Sequence, residues 1–251
     1  MQIFPSSNIR KPQADYIFST MVDKKRIVVL TGAGISAESG IKTFRDSNGL
    51  WENHDIMEVA SPEGWAKNPE LVLRFYNARR QQLKEVKPNA AHYALVELES
   101  KYDVQIITQN VDDLHERAGS SNVLHLHGEL KKVRSVTNSK LIVETEDDIQ
   151  IGDVASDGGQ LRPHIVWFGE SVPMILPAAE LASTADIFLI IGTSLVVYPA
   201  AGLVEYVPYQ SPVYVIDPKR PSISGVSQVK FITERGTIGV PQLVKKLLKE
   251  A

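Results

Sequence analysis

An α/β fold, a doubly wound parallel sheet with a smaller inserted domain, is predicted by three observations. Apolar runs recur at 26–30, 104–108, 123–126, 165–168, 187–191 and 213–216, and several are too continuously apolar to have a solvent face. Strands covered on both sides look like that. Helical patterns lie between them, and strands alternating with helices imply parallel pairing through crossovers. The alternation fails over 41–88 and 131–163, so these stretches are assigned to the smaller domain, and 1–40, 89–130 and 164–251 to the sheet domain.

Each helix has a local signal. The pattern at 69–85 opens on Pro69, suited to a first turn; 90–100 follows; 111–118 ends at Gly119; and 241–250 sets Leu243, Val244, Leu247 and Leu248 on one face. At 251 residues, 43% hydrophobic and 23% charged, the chain can bury one substantial core plus a small module. A net charge of −3 provides no basic field for nucleic acid. No apolar run approaches the roughly 18 residues of a membrane helix, and no signal pattern opens the chain, which reads as soluble and cytoplasmic. With no cysteine there are no disulfides and no thiolate metal site. Oligomeric state is not indicated.

Residues 31–49, TGAGISAESGIKTFRDSNG, follow the first apolar run and are the most informative stretch. Glycines after a strand let backbone amides approach a phosphate, and Gly32-Ala33-Gly34 fits the dinucleotide fingerprint. An ordinary tight strand-to-helix turn competes with that reading. A dehydrogenase would continue into a second strand ending in an acidic residue about 20 positions on. Here that region is Phe44-Arg45-Asp46-Ser47-Asn48-Gly49, which looks like a lid with Arg45 as a phosphate or ribose partner. A surface loop pinned by Phe44 and Trp51 is the plainer alternative.

Other strand ends repeat the theme. Gln109, Asn110 and Asp112 follow one strand, Gly192, Thr193 and Ser194 another, and Asp217 a third, at the carboxyl edge where open α/β sheets bind ligands. Helix capping by Asn110 competes. Four polar strand ends together describe one elongated cofactor crevice. Leu124-His125-Leu126-His127-Gly128-Glu129 ends a further strand, and alternation points both histidines to one face. Either could act as a general base at neutral pH; the following glycine and nearby crevice favour His127. A metal would need a third ligand that spacing does not supply.

The segments GAGISAESGIKTFR, TQNVDDLH, LHLHGEL, RPHIVWFGE and GTSLVVYPA together resemble the sirtuins, NAD-dependent protein-lysine deacylases, in order and over most of the chain. The resemblance implies a Rossmann-like domain, with NAD and an acyl-lysine protein or peptide entering one cleft from opposite sides. It implies an NAD site of Gly32, Ala33, Gly34, Phe44, Arg45, Gln109, Asn110, Asp112, Gly192, Thr193, Ser194 and Asp217, with His127 as base and Asn110 and Asp112 beside it. Val166, Phe168, Gly169 and Glu170 would line the acyl-lysine groove. The acyl oxygen would attack the nicotinamide ribose while His127 draws a proton, leaving free lysine, nicotinamide and O-acyl-ADP-ribose.

This chain departs from the family at Lys42 and Asp217, and above all where two zinc-binding CxxC pairs belong. Ser135-Val136-Thr137-Asn138 and Asp153-Val154-Ala155-Ser156 stand there, so no zinc is expected, and Leu141, Val143, Ile149 and Ile151 are expected to pack the module. Tyr76 and Arg79, three apart on one helix face, resemble the acyl pocket of sirtuins that remove succinyl and malonyl groups, with Ala60 leaving room. A silent NAD or ADP-ribose binding module and a nicotinamide-dependent oxidoreductase are the rival functions.

Overall fold

The computed structural model describes residues 24–41, 50, 51 and 54–251. Along the chain, β1 (Arg26–Thr31) leads into α1 (Ala33–Ala37), and the short strands β2 (Leu50–Trp51) and β3 (His54–Asp55) pair before α2 (Ile56–Val59), α3 (Pro62–Lys67), α4 (Pro69–Glu85) and α5 (Ala90–Leu98). Next come β4 (Asp103–Thr108), α6 (Leu114–Ala118), β5 (Val123–His125), β6 (Gly128–Ser135), β7 (Ile142–Glu144) and β8 (Leu161–Ile165). The chain finishes with α7 (Ile175–Ser183), β9 (Ile187–Ile191), a 3₁₀ segment (Ala200–Tyr206), β10 (Val213–Ile216), β11 (Val229–Ile232) and α8 (Gly236–Glu250).

Six strands form one parallel sheet in the order β11-β10-β9-β1-β4-β5. Counted within the sheet and read from β5, this is the 3-2-1-4-5-6 winding of dinucleotide-binding folds, and its order reverses between β1 and β9. Alternate strand residues feed two apolar layers. Ile27, Val29, Ile106 and Leu189 pack with α5 and α8, while Val28, Leu30, Ile107 and Ile190 pack with α7 and the 3₁₀ segment. Helix α4 starts where the Asn68 side chain accepts from the Leu71 amide at 3.0 Å, and α6 stops at Gly119, whose φ of +107° suits glycine. Among the described residues no helix is long and apolar enough to cross a membrane.

The strand expected at 165–168 is corrected. The strand is Leu161–Ile165, and it pairs antiparallel with β6 in a separate three-stranded sheet, β7-β6-β8. Beyond Val166 the backbone leaves this pairing, because the Trp167 amide donates to Glu170 and the Phe168 amide to the Ala60 carbonyl. Strands β6, β7 and β11 and helix α7 were not anticipated; β6 interleaves Lys131, Lys132 and Arg134 with its apolar residues, as a half-solvated strand does. Helix α8 begins at Gly236, so Pro241 lies inside it, and α6 begins at Leu114 because residues 111–113 stay in the cleft loop.

The packing expected for the three-stranded sheet is also corrected. Only Ile149 is buried deeply, against Leu73 and Val133, whereas Val143 and Ile151 are each 51% exposed. Polar bonds from α4 tie the module down. Buried Arg80 donates to the carbonyls of Leu130 (2.9 Å) and Asp147 (3.2 Å), and Asn77 to that of Ile149 (2.8 Å). At its far end the Asp157 carboxylate accepts from the hydroxyls of Ser135 (2.9 Å) and Thr137 (2.6 Å) and from the Gly159 amide (3.0 Å). This clasp ties Asp157, one residue beyond the segment 153–156, to the segment 135–138. Among the described residues no cluster of three His, Cys, Asp or Glu side chains could hold a metal ion.

Candidate active site

At the point where the strand order reverses, the loops after β1 and β9 touch. The Gly32 amide donates to the Ile191 carbonyl at 3.0 Å and the Gly34 amide to the Gly192 carbonyl at 2.8 Å. A Cβ on Gly34 would lie 2.6 Å from the Gly192 Cα, and Gly192 has φ +65°, so both positions require glycine. The Gly32 and Gly34 amides thus lock two strand ends together. The cleft they frame, of about 290 Å³, is what a ligand would occupy.

That cleft is lined by Gly32, Ala33, Gly34, Gln109, Asn110, Asp112, His127, Gly192, Thr193 and Ser194, and also by Tyr76, Arg79, Val166, Phe168, Gly169 and Glu170. Asp217 does not line it. That carboxylate is buried after β10 and accepts from the Lys219 amide at 2.9 Å. Lys42, Phe44 and Arg45 lie outside the described residues. Ala60, Ile165, Trp167 and Ser36 line the cleft as well. Trp167 and Ser36 were missed in the sequence; the Trp-Phe pair inside an apolar run was the available signal.

Loop 109–112 is held on every side. The Gln109 amide donates to the Thr31 carbonyl (2.9 Å) and its side chain to Thr193 Oγ1 (3.1 Å). Asn110 Nδ2 donates to the Gly32 carbonyl and to Ser36 Oγ, each at 3.2 Å, so Asn110 braces the glycine loop and caps no helix. Burial pushes the Asp112 carboxyl up to about 6, against the opposing pull of hydrogen bonds from Leu114 and Ser36.

The two histidines diverge. His127 Nδ1 lies 3.1 Å from the Gln109 carbonyl, which only accepts, so the ring proton sits on Nδ1 and Nε2 keeps a lone pair. Burial holds its pKa below the ordinary histidine value, so the ring is neutral and basic at pH 7. His125 does not line the cleft; its ring spans the Asn110 carbonyl (3.1 Å) and the Glu116 carboxylate (2.7 Å).

Fully buried Tyr76 accepts at its hydroxyl from Trp167 Nε1 at 3.1 Å, and the Arg79 guanidinium lies 5.6 Å from the Phe75 ring centroid. Tyr76 and Arg79 thus reach the same cleft from one face of α4. Glu170 lines the cleft while Arg162 (2.7 Å), Arg134 (3.3 Å) and the Trp167 amide (2.8 Å) all donate to its carboxylate. It orders the 167–170 turn, and the Arg162 guanidinium lies 3.2 Å from the Trp167 ring centroid.

The glycine junction, the carboxamide loop and the single basic histidine in one cleft define a class. The model of the Sir2 family matches residues 32–199, more than half of the chain, and the chain belongs to that family. It is 57% identical over 227 residues to a Helicobacter pylori protein named NAD-dependent protein deacylase, covering 90% of this chain and 99% of that one. A Bacteroides thetaiotaomicron protein of the same name is 54% identical, with 89% and 98% covered. Among solved structures, a Sir2 homologue variant in complex with ADP ribose superposes with a TM-score of 0.82 at 38% identity, covering 90% of this chain and 93% of the other. A Sir2 protein bound to acetylated peptide gives 0.72 at 30% identity, covering 90% and 93%.

Proposed function

We propose that this chain is an NAD-dependent protein-lysine deacylase that works on acyl-lysine peptides and accepts acidic acyl groups as well as acetyl. The observation that carries the reading is the neutral His127, its Nε2 lone pair in a cleft whose neighbours are carboxamides, a buried carboxylate and an apolar wall. NAD fits these residues. The closely joined glycines leave no side chain at the strand-order reversal, and Asn110, Asp112, Ser36, Thr193 and Ser194 offer donors and acceptors for ribose and amide groups along the cleft. When bound, NAD supplies an electrophilic ribose carbon with nicotinamide as the leaving group.

The chain's own residues do the rest. His127 takes a proton at Nε2 while the Gln109 carbonyl fixes its ring. Ile165, Val166 and Trp167 surround the lysine stem and exclude water. The Val166 amide, held 2.9 Å from the His127 carbonyl, keeps that wall in register with the base. At the end of the acyl chain a guanidinium beside a phenol, Arg79 beside Tyr76, suits a carboxylate through charge-assisted hydrogen bonds. Buried Ala60 adds little bulk to that pocket.

The test is incubation with NAD and acetyl-, succinyl- or malonyl-lysine peptide, with products read by mass spectrometry. O-acyl-ADP-ribose and free lysine from both acyl classes are expected. Reduced cofactor would make the protein an oxidoreductase, no turnover would leave a binding module, and turnover of acetyl peptide alone would remove the acidic-acyl assignment.

A further inference from the structure

His125 and His127 are two residues apart, and their rings reach consecutive carbonyls, those of Asn110 and Gln109, each at 3.1 Å. A carbonyl has no proton to give, so both Nδ1 atoms are protonated. For His127 the second nitrogen is then a free base. For His125 it is not: Nε2 lies 2.7 Å from Glu116 Oε1, and a carboxylate also only accepts. Both His125 nitrogens therefore carry hydrogen, and the ring is an imidazolium. One carboxylate on α6 separates a charged histidine from a neutral one.

The cation sits at the back of the cleft wall. The Asn110 whose carbonyl it holds braces Gly32 and Ser36 from the front, and Asp112 next along the loop is within reach of its charge. Resting on the deacylase reading, we infer that His125 is a positioning residue, a fixed cation anchored on Glu116 that holds the Asn110 carbonyl and so sets residues 109–112 for NAD. The groups facing it are Glu116 on α6, Glu129 on β6, Asp112 in the loop and the buried, neutral His115 on α6. Lys132 pairs with Glu129 at 2.8 Å and moderates the acidic side. Burial alone would lower the His125 pKa, but the Glu116 hydrogen bond and charge, with Glu129 and the Asn110 carbonyl, reverse this and raise it.

Two variants separate charge from contact. In Glu116→Gln the carboxamide can donate to Nε2, so the Nδ1 bond to Asn110 survives while the charge is lost. In His125→Phe both are lost. Imidazole nitrogen NMR of the whole protein at pH 7.5 is expected to show both His125 nitrogens protonated in the parent and one in Glu116→Gln. NAD affinity by calorimetry is expected to fall about threefold or more in Glu116→Gln and about tenfold or more in His125→Phe, and kcat/KM for NAD to fall in parallel at unchanged melting temperature. A parent His125 that is neutral at pH 7.5 would overturn the inference. So would a Glu116→Gln protein with a neutral ring and unaltered NAD affinity. If the parent binds NAD but turns over no acyl peptide, the deacylase reading fails, while the NMR and calorimetry still decide the role of His125.

Discussion

The carboxyl edge of the parallel sheet and the far end of the three-stranded sheet are both polar clusters, yet water reaches only one. At the edge Thr31, Thr108, Asn110, Asp112 and His115 are all nearly inaccessible, whereas in the clasp Thr137 and Asp157 lie in solvent and only Ser135 and Gly159 are covered. The difference teaches where proton bookkeeping matters. In a desolvated cluster each donor must meet an acceptor, and a missing partner costs the full desolvation of a polar group. In a solvated cluster water replaces any bond that breaks.

The comparison is broken most directly at His127. Its ring is fixed by one backbone carbonyl and its work is proton transfer, so His127→Ala should lose about 10²- to 10⁴-fold in turnover of acyl peptide while folding normally. Parent-like turnover with acetyl peptide would show that the base lies elsewhere.

Acid separates the buried edge from the clasp next. His92 is held down to about 4 chiefly by burial, so stability is full above the ordinary histidine pKa of 6.5 and is lost as pH falls toward 4. Asp112 has the opposite sign. Its folded pKa of about 6 lies above the ordinary 3.8, so folding gains stability as pH falls between those values, by about 2–3 kcal/mol. The two offset each other in the parent. Urea melts of Asp112→Asn should therefore lose about 2–3 kcal/mol more than parent between pH 7 and pH 4. Parallel pH curves for the two proteins would mean that Asp112 is not buried as an anion.

The same contrast explains what could be read in the sequence. Continuous apolar runs announced β1, β4, β9 and β10 because both faces of those strands are covered. Strand β6 stayed hidden because solvent on one face lets lysines and an arginine interrupt it. Periodicity set His125 and His127 on one face and stopped there. What distinguishes them is Glu116, on a different element, and two carbonyls whose positions depend on the strand order. Asp157 was missed because a carboxylate near a serine carries no spacing signature.

A middle case is Arg79, buried in the cleft wall but there to meet a ligand. Arg79→Met should cost succinyl peptide about 2 kcal/mol in kcat/KM, roughly 30-fold, the worth of a buried charged hydrogen bond, and spare acetyl peptide. Equal losses on both substrates would show that this side chain supports the wall and does not read the acyl group.

The smallest effect is expected at the clasp. Its pKa is lowered by the Thr137 hydroxyl and the Gly159 amide, so Asp157 favours folding above its ordinary value of 3.8 and ceases to do so as pH falls through the lower folded value. That window lies below the one in which the edge titrates. Because the carboxylate is solvated, Asp157→Asn should lower the melting temperature at pH 7 by no more than about 3 °C. The loss should be the same in the presence of a chelator, since the hydroxyls and carboxylate bond one another directly and no metal-binding cluster is found among the described residues. Acetyl-peptide turnover should stay at the parent value, because α4 is tied to this sheet near Leu130 and Ile149, well before the clasp. A drop of 10 °C, or a parent protein destabilised by chelation, would make the far end of this sheet as dependent on its polar partners as the buried edge, and the contrast between the two regions would fail.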